Sequence, residues 1–218
     1  MGIGIYNPRE KQSLPVKSWN FLKQFRYDIG DRGPAGGIIV ITPMTADAFV
    51  SPGRYNVYVE VAPVGWYGGD GQDPLAPWGC FGTNISGAAG QDIEDSLQNT
   101  IDIVTGCTTP GIAADLARSY TGGGKTDWCL PGLRGMALCY GITTLTSGTT
   151  KLQNADFAYQ RLGLTFSSGY TYWGSTENNA SFAYAYSPSL SDTQYYTFGQ
   201  KNLNGYVRPI RVFSSTNV

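Results

Sequence analysis

The chain has 218 residues, 29 of them glycine and 15 tyrosine, and only 14% are charged, well under the roughly 25% usual in soluble domains. That length buries one sizeable core, or a domain with an extension, while a net charge of −1 argues against general nucleic-acid binding. Histidine is absent, which excludes Ser-His-Asp and Cys-His catalysis, His-containing zinc sites and an imidazole switch, and argues against an enzyme.

Residues 1–35 carry Arg9, Lys11, Lys17, Lys23, Arg26 and Arg32 against Glu10, Asp28 and Asp31, a net of +3, so the remainder carries −4. A basic arm on an acidic body suits docking onto an acidic protein surface; a merely solvated tail is the alternative. The N-terminus lacks the apolar segment of a signal peptide, and no apolar run reaches bilayer length, so membrane insertion is not expected. The composition nonetheless resembles that of extracellular and virion proteins. A virion-surface protein made in a host cytoplasm and released by lysis reconciles the two.

Residues 1–18 read as an extended arm, after which Ser18 caps a short helix bearing Trp19, Leu22 and Phe25. So short an amphipathic segment is unstable alone and must pack on the body or on a partner. Lys17, Trp19, Leu22, Lys23, Phe25 and Arg26 are therefore the expected attachment residues. The arm and its helix occupy residues 1–27, and a folded domain occupies 28–218.

Within that domain, Ile38-Ile39-Val40-Ile41 is a buried strand and residues 56–61 a second one. Residues 63–90 form a long glycine-rich connection of the kind that is either functional or pinned down. Its "GGDGQDP" (68–74) places Asp70 and Asp73 on a turn; hard cations take about six to eight oxygens, and no glutamate closes this loop. Ile93, Leu97, Ile101 and Val104 then share one helix face, with Asp92, Glu94 and Asp95 complementing the dipole rather than binding metal.

A second helix opens at Thr109-Pro110, carries Ile112, Ala113, Leu116, Ala117 and Tyr120, and stops at Gly122-Gly123-Gly124. After "DWCLPG" (127–132), Leu133, Met136, Ala137 and Tyr140 are again spaced as in a helix, and residues 141–169 are loop-like. Strands follow over Tyr170–Thr176, Phe182–Ser187, Tyr195–Phe198 and Val207–Phe213. Pro209 makes the last one an edge or an interrupted strand.

Taken in order, "GPAGGIIV" (33–40), "VYVEVAP" (57–63), "WGCFGTNISGA" (78–88) and "QNTIDIVTGC" (98–107) form a pattern. "IAADLA" (112–117), "DWCLPG" (127–132), "YWGSTEN" (172–178) and "GYVRPIRVF" (205–213) complete it. The pattern resembles the Lcl-type C-terminal domains of the C-type-lectin-like superfamily. The resemblance implies an α+β, C-type-lectin-like fold: two main helices beside short antiparallel sheets, the first and last strands close together, with an extended N-terminal arm. Such domains occur on bacterial surface proteins and phage structural proteins as adhesive heads. Members hold a large aromatic where Cys129 stands, then Pro-Ser and an acidic helix, where this chain has Pro131-Gly132-Leu133-Arg134-Gly135. The calcium and sugar triplets of calcium-binding lectins are absent, so calcium-dependent sugar binding does not carry over.

Cys80 and Cys107 both fall in matched segments, so the resemblance implies their disulfide, worth about 3–4 kcal/mol by the chain-entropy estimate. Free buried thiols are the alternative. The gaps of 27, 22 and 10 between the four cysteines do not supply the close pairs of a zinc site. Without histidine Cys129 lacks an activating base, and it reads as buried filler beside Trp128 and near Cys139. A buried pair between Glu177 and Arg208 or Arg211 is expected to join the ends of the fold.

Phe182, Tyr184 and Tyr186 share one strand face, with Ala183 and Ala185 on the other. Tyr172, Trp173, Tyr184 and Tyr186, with Asn178, Asn179, Asp192 and Gln194 on the adjoining loops, are the expected ligand surface. The chain is thus expected to be a non-enzymatic phage virion structural protein, as a head decoration, fibre or tail adhesin. Other virion proteins, sister copies in a homo-oligomer, and a host-surface glycan or protein are its expected partners, with no cofactor and no metal. A free carbohydrate- or protein-binding module of a surface adhesin is the alternative.

Overall fold

The computed structural model describes residues 27–43, 57–68, 71–139, 170–187 and 196–214. The attachment residues of the arm, the 141–169 loop, Asp70, Asp192 and Gln194 lie outside the described residues. The fold is α+β. In chain order it has β1 (Ile38–Ile41), β2 (Val57–Val61), β3 (Leu75–Pro77), α1 (Ser96–Gly106), α2 (Ala113–Ser119) and α3 (Leu133–Cys139). Then come β4 (Tyr172–Glu177), β5 (Phe182–Tyr186), β6 (Thr197–Gln200), β7 (Asn204–Tyr206) and β8 (Ile210–Ser214).

Two sheets result, one ordered β1-β2-β8 and the other β3-β7-β4-β5-β6. The expected strand at 207–213 is interrupted: proline cannot continue a ladder, and Val207-Arg208-Pro209 instead carry the chain from one sheet to the other. Leu75–Pro77 is a strand inside the glycine-rich connection, pairing antiparallel with β7. Its three residues, one of them proline, leave too little pattern to be read from sequence.

The five-stranded sheet is covered on both faces over its interior strands. Tyr172, Tyr186 and Tyr206 pack with Ile38, Val40, Val59, Val61 and Ile210 of the other sheet and with Met136 of α3. On the opposite face Trp173, Ala183 and Ala185 pack with Ile103, Ala113, Ala114 and Ala117 of the helices. The alanines are small because an indole lies over this face. A β-carbon on Gly199 or on Gly205 would sit 2.7 Å from the Trp173 ring, so neither position accepts a side chain. The Trp173 Nε1–H donates to the Ala76 carbonyl at 2.9 Å, which satisfies its one polar group.

Helix α1 is turned relative to its apolar pattern. Its buried residues are Ser96, Asn99, Thr100 and Ile103, while Val104 is exposed. Hydrogen bonding explains the rotation: Thr100 Oγ1 accepts the Leu130 N–H at 3.1 Å, and Ser96 Oγ accepts the Gly132 N–H at 2.8 Å. Asn99 Nδ2 donates to the Gly90 carbonyl at 2.7 Å and its Oδ1 accepts the Gly90 N–H at 3.2 Å. A helix side that satisfies otherwise orphaned backbone groups outcompetes a modest apolar stripe. Helix α2 starts later than Thr109-Pro110, because the Asp115 carboxylate accepts the Gly111 and Ile112 N–H groups at 2.9 and 3.4 Å.

Residues 127–132 are the strap between these layers. Cys129 and Ile210 exchange two backbone hydrogen bonds, 2.9 and 2.8 Å, and the Pro131 carbonyl accepts the Ser175 N–H of β4 at 2.8 Å. Gly132 passes so close to Asp92 that a β-carbon would lie 2.5 Å from its carbonyl oxygen. Cys129 and Cys139 are both free and buried in one apolar cluster. Burial drives both thiols far above the ordinary cysteine range, so neither supplies a thiolate.

Arg208 and Arg211 choose other partners than Glu177. Arg208 grips Asp73, with Nη2 at 2.7 Å and Nε at 3.0 Å from its two oxygens. The same carboxylate accepts the Tyr172 hydroxyl at 2.7 Å and the Trp66 Nε1–H at 2.9 Å. Asp73 is thus a core ion-pair residue. Arg211 bridges Glu60 at 3.0 Å and Asp127 at 2.6 Å, and Glu60 also accepts the Ala35 and Gly37 N–H groups. Loss of hydration raises the Glu60 carboxyl above its ordinary range, and Arg211 and the two amides only partly oppose this.

Removing one partner of a buried pair strands the other charge. Asp73→Ala is expected to cost about 3–5 kcal/mol, and Tyr172→Phe, which removes one bond to the same carboxylate, about 1.5–3. Urea unfolding of the two variants beside the parent checks both values.

Candidate ligand-binding surface

Three of the aromatics expected at a ligand surface are core residues. Tyr172, Trp173 and Tyr186 are buried, since β4 is interior to its sheet and both of its faces are covered. Tyr184 is half-buried. Its ring meets Tyr196 at 5.5 Å and Phe198 at 6.5 Å, and Phe182 meets Phe198 at 6.0 Å, all edge to face. Phe198 is 54% exposed and Tyr196 40%. An aromatic row therefore lies on the β5–β6 hairpin, on the same face as Tyr186 but beyond the cover of the other sheet, with Phe182, Tyr196 and Phe198 replacing the buried residues. The period-2 alternation of Tyr196, Phe198 and Gln200 was the signal for it.

Three turns converge at the end of this hairpin. Gly79 N–H donates to the Lys201 carbonyl at 3.0 Å, Gly82 N–H to Ala180 at 2.9 Å, and Lys201 N–H to Ser181 at 3.0 Å. The segments 79–84, 178–181 and 200–204 thereby form one continuous surface. Asn178 and Asn179 are exposed on it. Asn179 also builds its own turn, its Oδ1 accepting the Ser181 and Phe182 N–H groups at 2.9 and 3.0 Å. Asn84, Gln200, Asn202 and Asn204 are exposed as well, and Phe81 (48%) and Leu203 (55%) add apolar contact area.

Beneath the turns sits a buried charge pair. Lys201 forms an ion pair with Glu177, its side chain wholly inaccessible and that of Glu177 nearly so. Its ammonium also donates to the Thr83 carbonyl at 2.8 Å and lies 4.6 Å from the centre of a Trp78 ring. The Glu177 oxygen accepts the Ile85 N–H at 2.9 Å. One lysine thus ties all three turns together. Residue 201 follows Gln200 directly, so the hairpin itself delivers the cation.

The 79–84 turn has a second anchor. Cys80 is bonded to Cys107 at the end of α1, Cα to Cα 5.7 Å. Cys80 has φ +48°, the one positive value for a non-glycine among the described residues. Such a conformation is disfavoured for a side-chain-bearing residue and persists where the surroundings over-determine it. Gly79 before it has φ +110°, and a β-carbon there would meet Ile112 at 2.7 Å.

Chemically the surface is neutral. Segments 78–89, 177–187 and 196–206 contain one acid and one base, Glu177 and Lys201, and these neutralise each other out of solvent. What faces water is amide, hydroxyl and aromatic. Side-chain amides both donate and accept, and rigid aromatic rings give contact area at low entropic cost. Among the described residues no three Cys, Asp or Glu side chains converge as a metal site. The buried carboxylates Glu60, Asp73 and Glu177 are each held by a cation. No described helix is long and apolar enough to cross a membrane. No protein-family model matches the chain, and no curated protein matches it.

Lys201→Met leaves the Glu177 carboxylate buried without its cation, an expected loss of about 3–5 kcal/mol. The paired change Glu177→Gln with Lys201→Met should recover most of it, measured as a double-mutant cycle by chemical denaturation.

Proposed function

We propose that this chain is a non-enzymatic virion protein whose C-type-lectin-like domain is displayed outward and binds a neutral host-surface ligand, a glycan in first place. The observation that carries the reading is the neutral end of the β5–β6 hairpin. Three turns locked by a buried ion pair and a disulfide present amides and aromatics and no ionic group. Rigid support under a solvent-facing polar and aromatic surface is what a recognition site requires. Surface amides match hydroxyl groups, which likewise donate and accept, and Phe81 and Phe198 offer flat faces for stacking.

The lectin-like assignment draws support from the arrangement of elements. β1 and β8, the first and last described strands, flank β2 in one sheet, and two consecutive helices lie against the other sheet. Resemblance supplies the remainder, including display on a particle through the basic arm.

Two experiments test the reading. Phe81→Ala, Asn178→Ala and Asn202→Ala combined should weaken adsorption of labelled protein to host cells at least about tenfold. Thermal stability should hold, because all three side chains are exposed; unchanged adsorption rejects the surface. Deleting residues 1–26 should abolish incorporation into particles while the domain keeps its melting temperature, and normal incorporation rejects the role of the arm.

A further inference from the structure

The two sheets have four edges, and among the described residues three are bonded or blunted. The outer side of β1 is bonded to the preceding turn: Gly30 N–H donates to the Ile39 carbonyl and Ile39 N–H to the Asp31 carbonyl, both at 2.9 Å. The outer side of β8 is covered at its start, where Ile210 exchanges two bonds with Cys129, and the strand carries Arg211. β3 is only three residues long and carries Pro77. Short length and proline are both devices that blunt an edge.

β6 is also short, at four residues, but it has no proline and no covering turn among the described residues. Tyr196-Thr197-Phe198-Gly199-Gln200 contains neither charge nor proline. It pairs with β5 in the register Phe182↔Gln200, Ala183↔Gly199, Tyr184↔Phe198, Ala185↔Thr197. The Lys201 N–H to Ser181 bond fixes the phase. In an antiparallel ladder bonded pairs alternate, so residues 199 and 197 bond inward, whereas the N–H and C=O of Phe198 point away from β5. Among the described residues nothing bonds either group.

We propose that β6 is a self-association edge: two copies of this chain pair antiparallel through β6, about a two-fold axis at Phe198, joining their five-stranded sheets. Phe198 then exchanges both backbone bonds with the partner's Phe198, the self-complementary contact that a two-fold interface requires. Identical strands meet most easily where they bring no like charges together, and this edge carries none. The side chains favour the same arrangement. Directly opposed residues hold their Cβ atoms about 5 Å apart, so the Phe182–Phe198 rows of the two copies merge into one across the axis. A foreign peptide and the chain's own arm are the competing occupants, which the experiment separates.

Sedimentation velocity over a concentration series should find a reversible dimer for the full chain. Phe198→Lys and Gln200→Lys should each weaken it at least about tenfold by placing like charges across the axis. Melting temperatures should hold, and Val104→Lys, on α1, should leave the dimer intact. Phe198→Cys, which adds no charge, should give an intermolecular disulfide with diamide as the two-electron oxidant. A full chain that stays monomeric overturns the proposal, whether a foreign peptide or the arm then proves to occupy the edge. So does a dimer unaffected by both lysines, or a Phe198→Cys chain that does not cross-link.

Discussion

The constraint on which this fold depends is the path of residues 127–132. One short strap bonds to β8 through Cys129, to β4 through Pro131, and to α1 through Leu130 and Gly132. Its aspartate binds Arg211 at 2.6 Å, and Trp128 is buried, its Nε1–H donating to the Gly122 carbonyl at 3.1 Å. Each contact satisfies a backbone or indole group that would otherwise be buried without a partner, so displacing the strap uncovers several at once. Pro131 and Gly132 suit it for separate reasons. The proline ring restricts the turn, and the glycine leaves room for the Asp92 carbonyl.

Three ion pairs divide the remaining work by location. Arg208 with Asp73 fastens the long glycine-rich connection to the link between the sheets. Arg211 with Glu60 and Asp127 joins β2, β8 and the strap. Lys201 with Glu177 lies below the surface turns. Buried pairs are weak sources of net stability compared with apolar packing, yet losing one partner is severe. Here each pair holds segments distant in sequence in one arrangement. The third does so directly under the proposed ligand surface, where alignment of the turns decides whether neighbouring amides act together.

Much of the secondary structure was legible. The β-branched run at 38–41, the helical spacing after residue 92 and the punctuation by Pro209 each follow from local sterics and periodicity. The rotation of α1 was not legible: Leu97, Ile101 and Val104 outweigh Ser96, Asn99 and Thr100 on any hydropathy count. Only the orphaned N–H groups of the strap reverse that preference, and they lie 30 or more positions away. At the candidate site, an aromatic-rich C-terminal region with amide loops was readable. Which rings face water was not, because Tyr172 and Tyr184 look alike until the neighbours of β4 and β5 are known.

The sequence by itself determined the chemistry available to this protein. With no histidine and few charges, it has amides, hydroxyls and aromatics to present, and glycines placed where close approaches are needed. Tertiary structure alone decided the partners. It assigned Asp73 to Arg208 and Glu177 to Lys201, and it buried Trp173 while exposing Phe198. The physical reason is common to all of these. Burial and ion pairing depend on what lies opposite in space, and residues 135 positions apart, such as Asp73 and Arg208, become neighbours only when the sheets close.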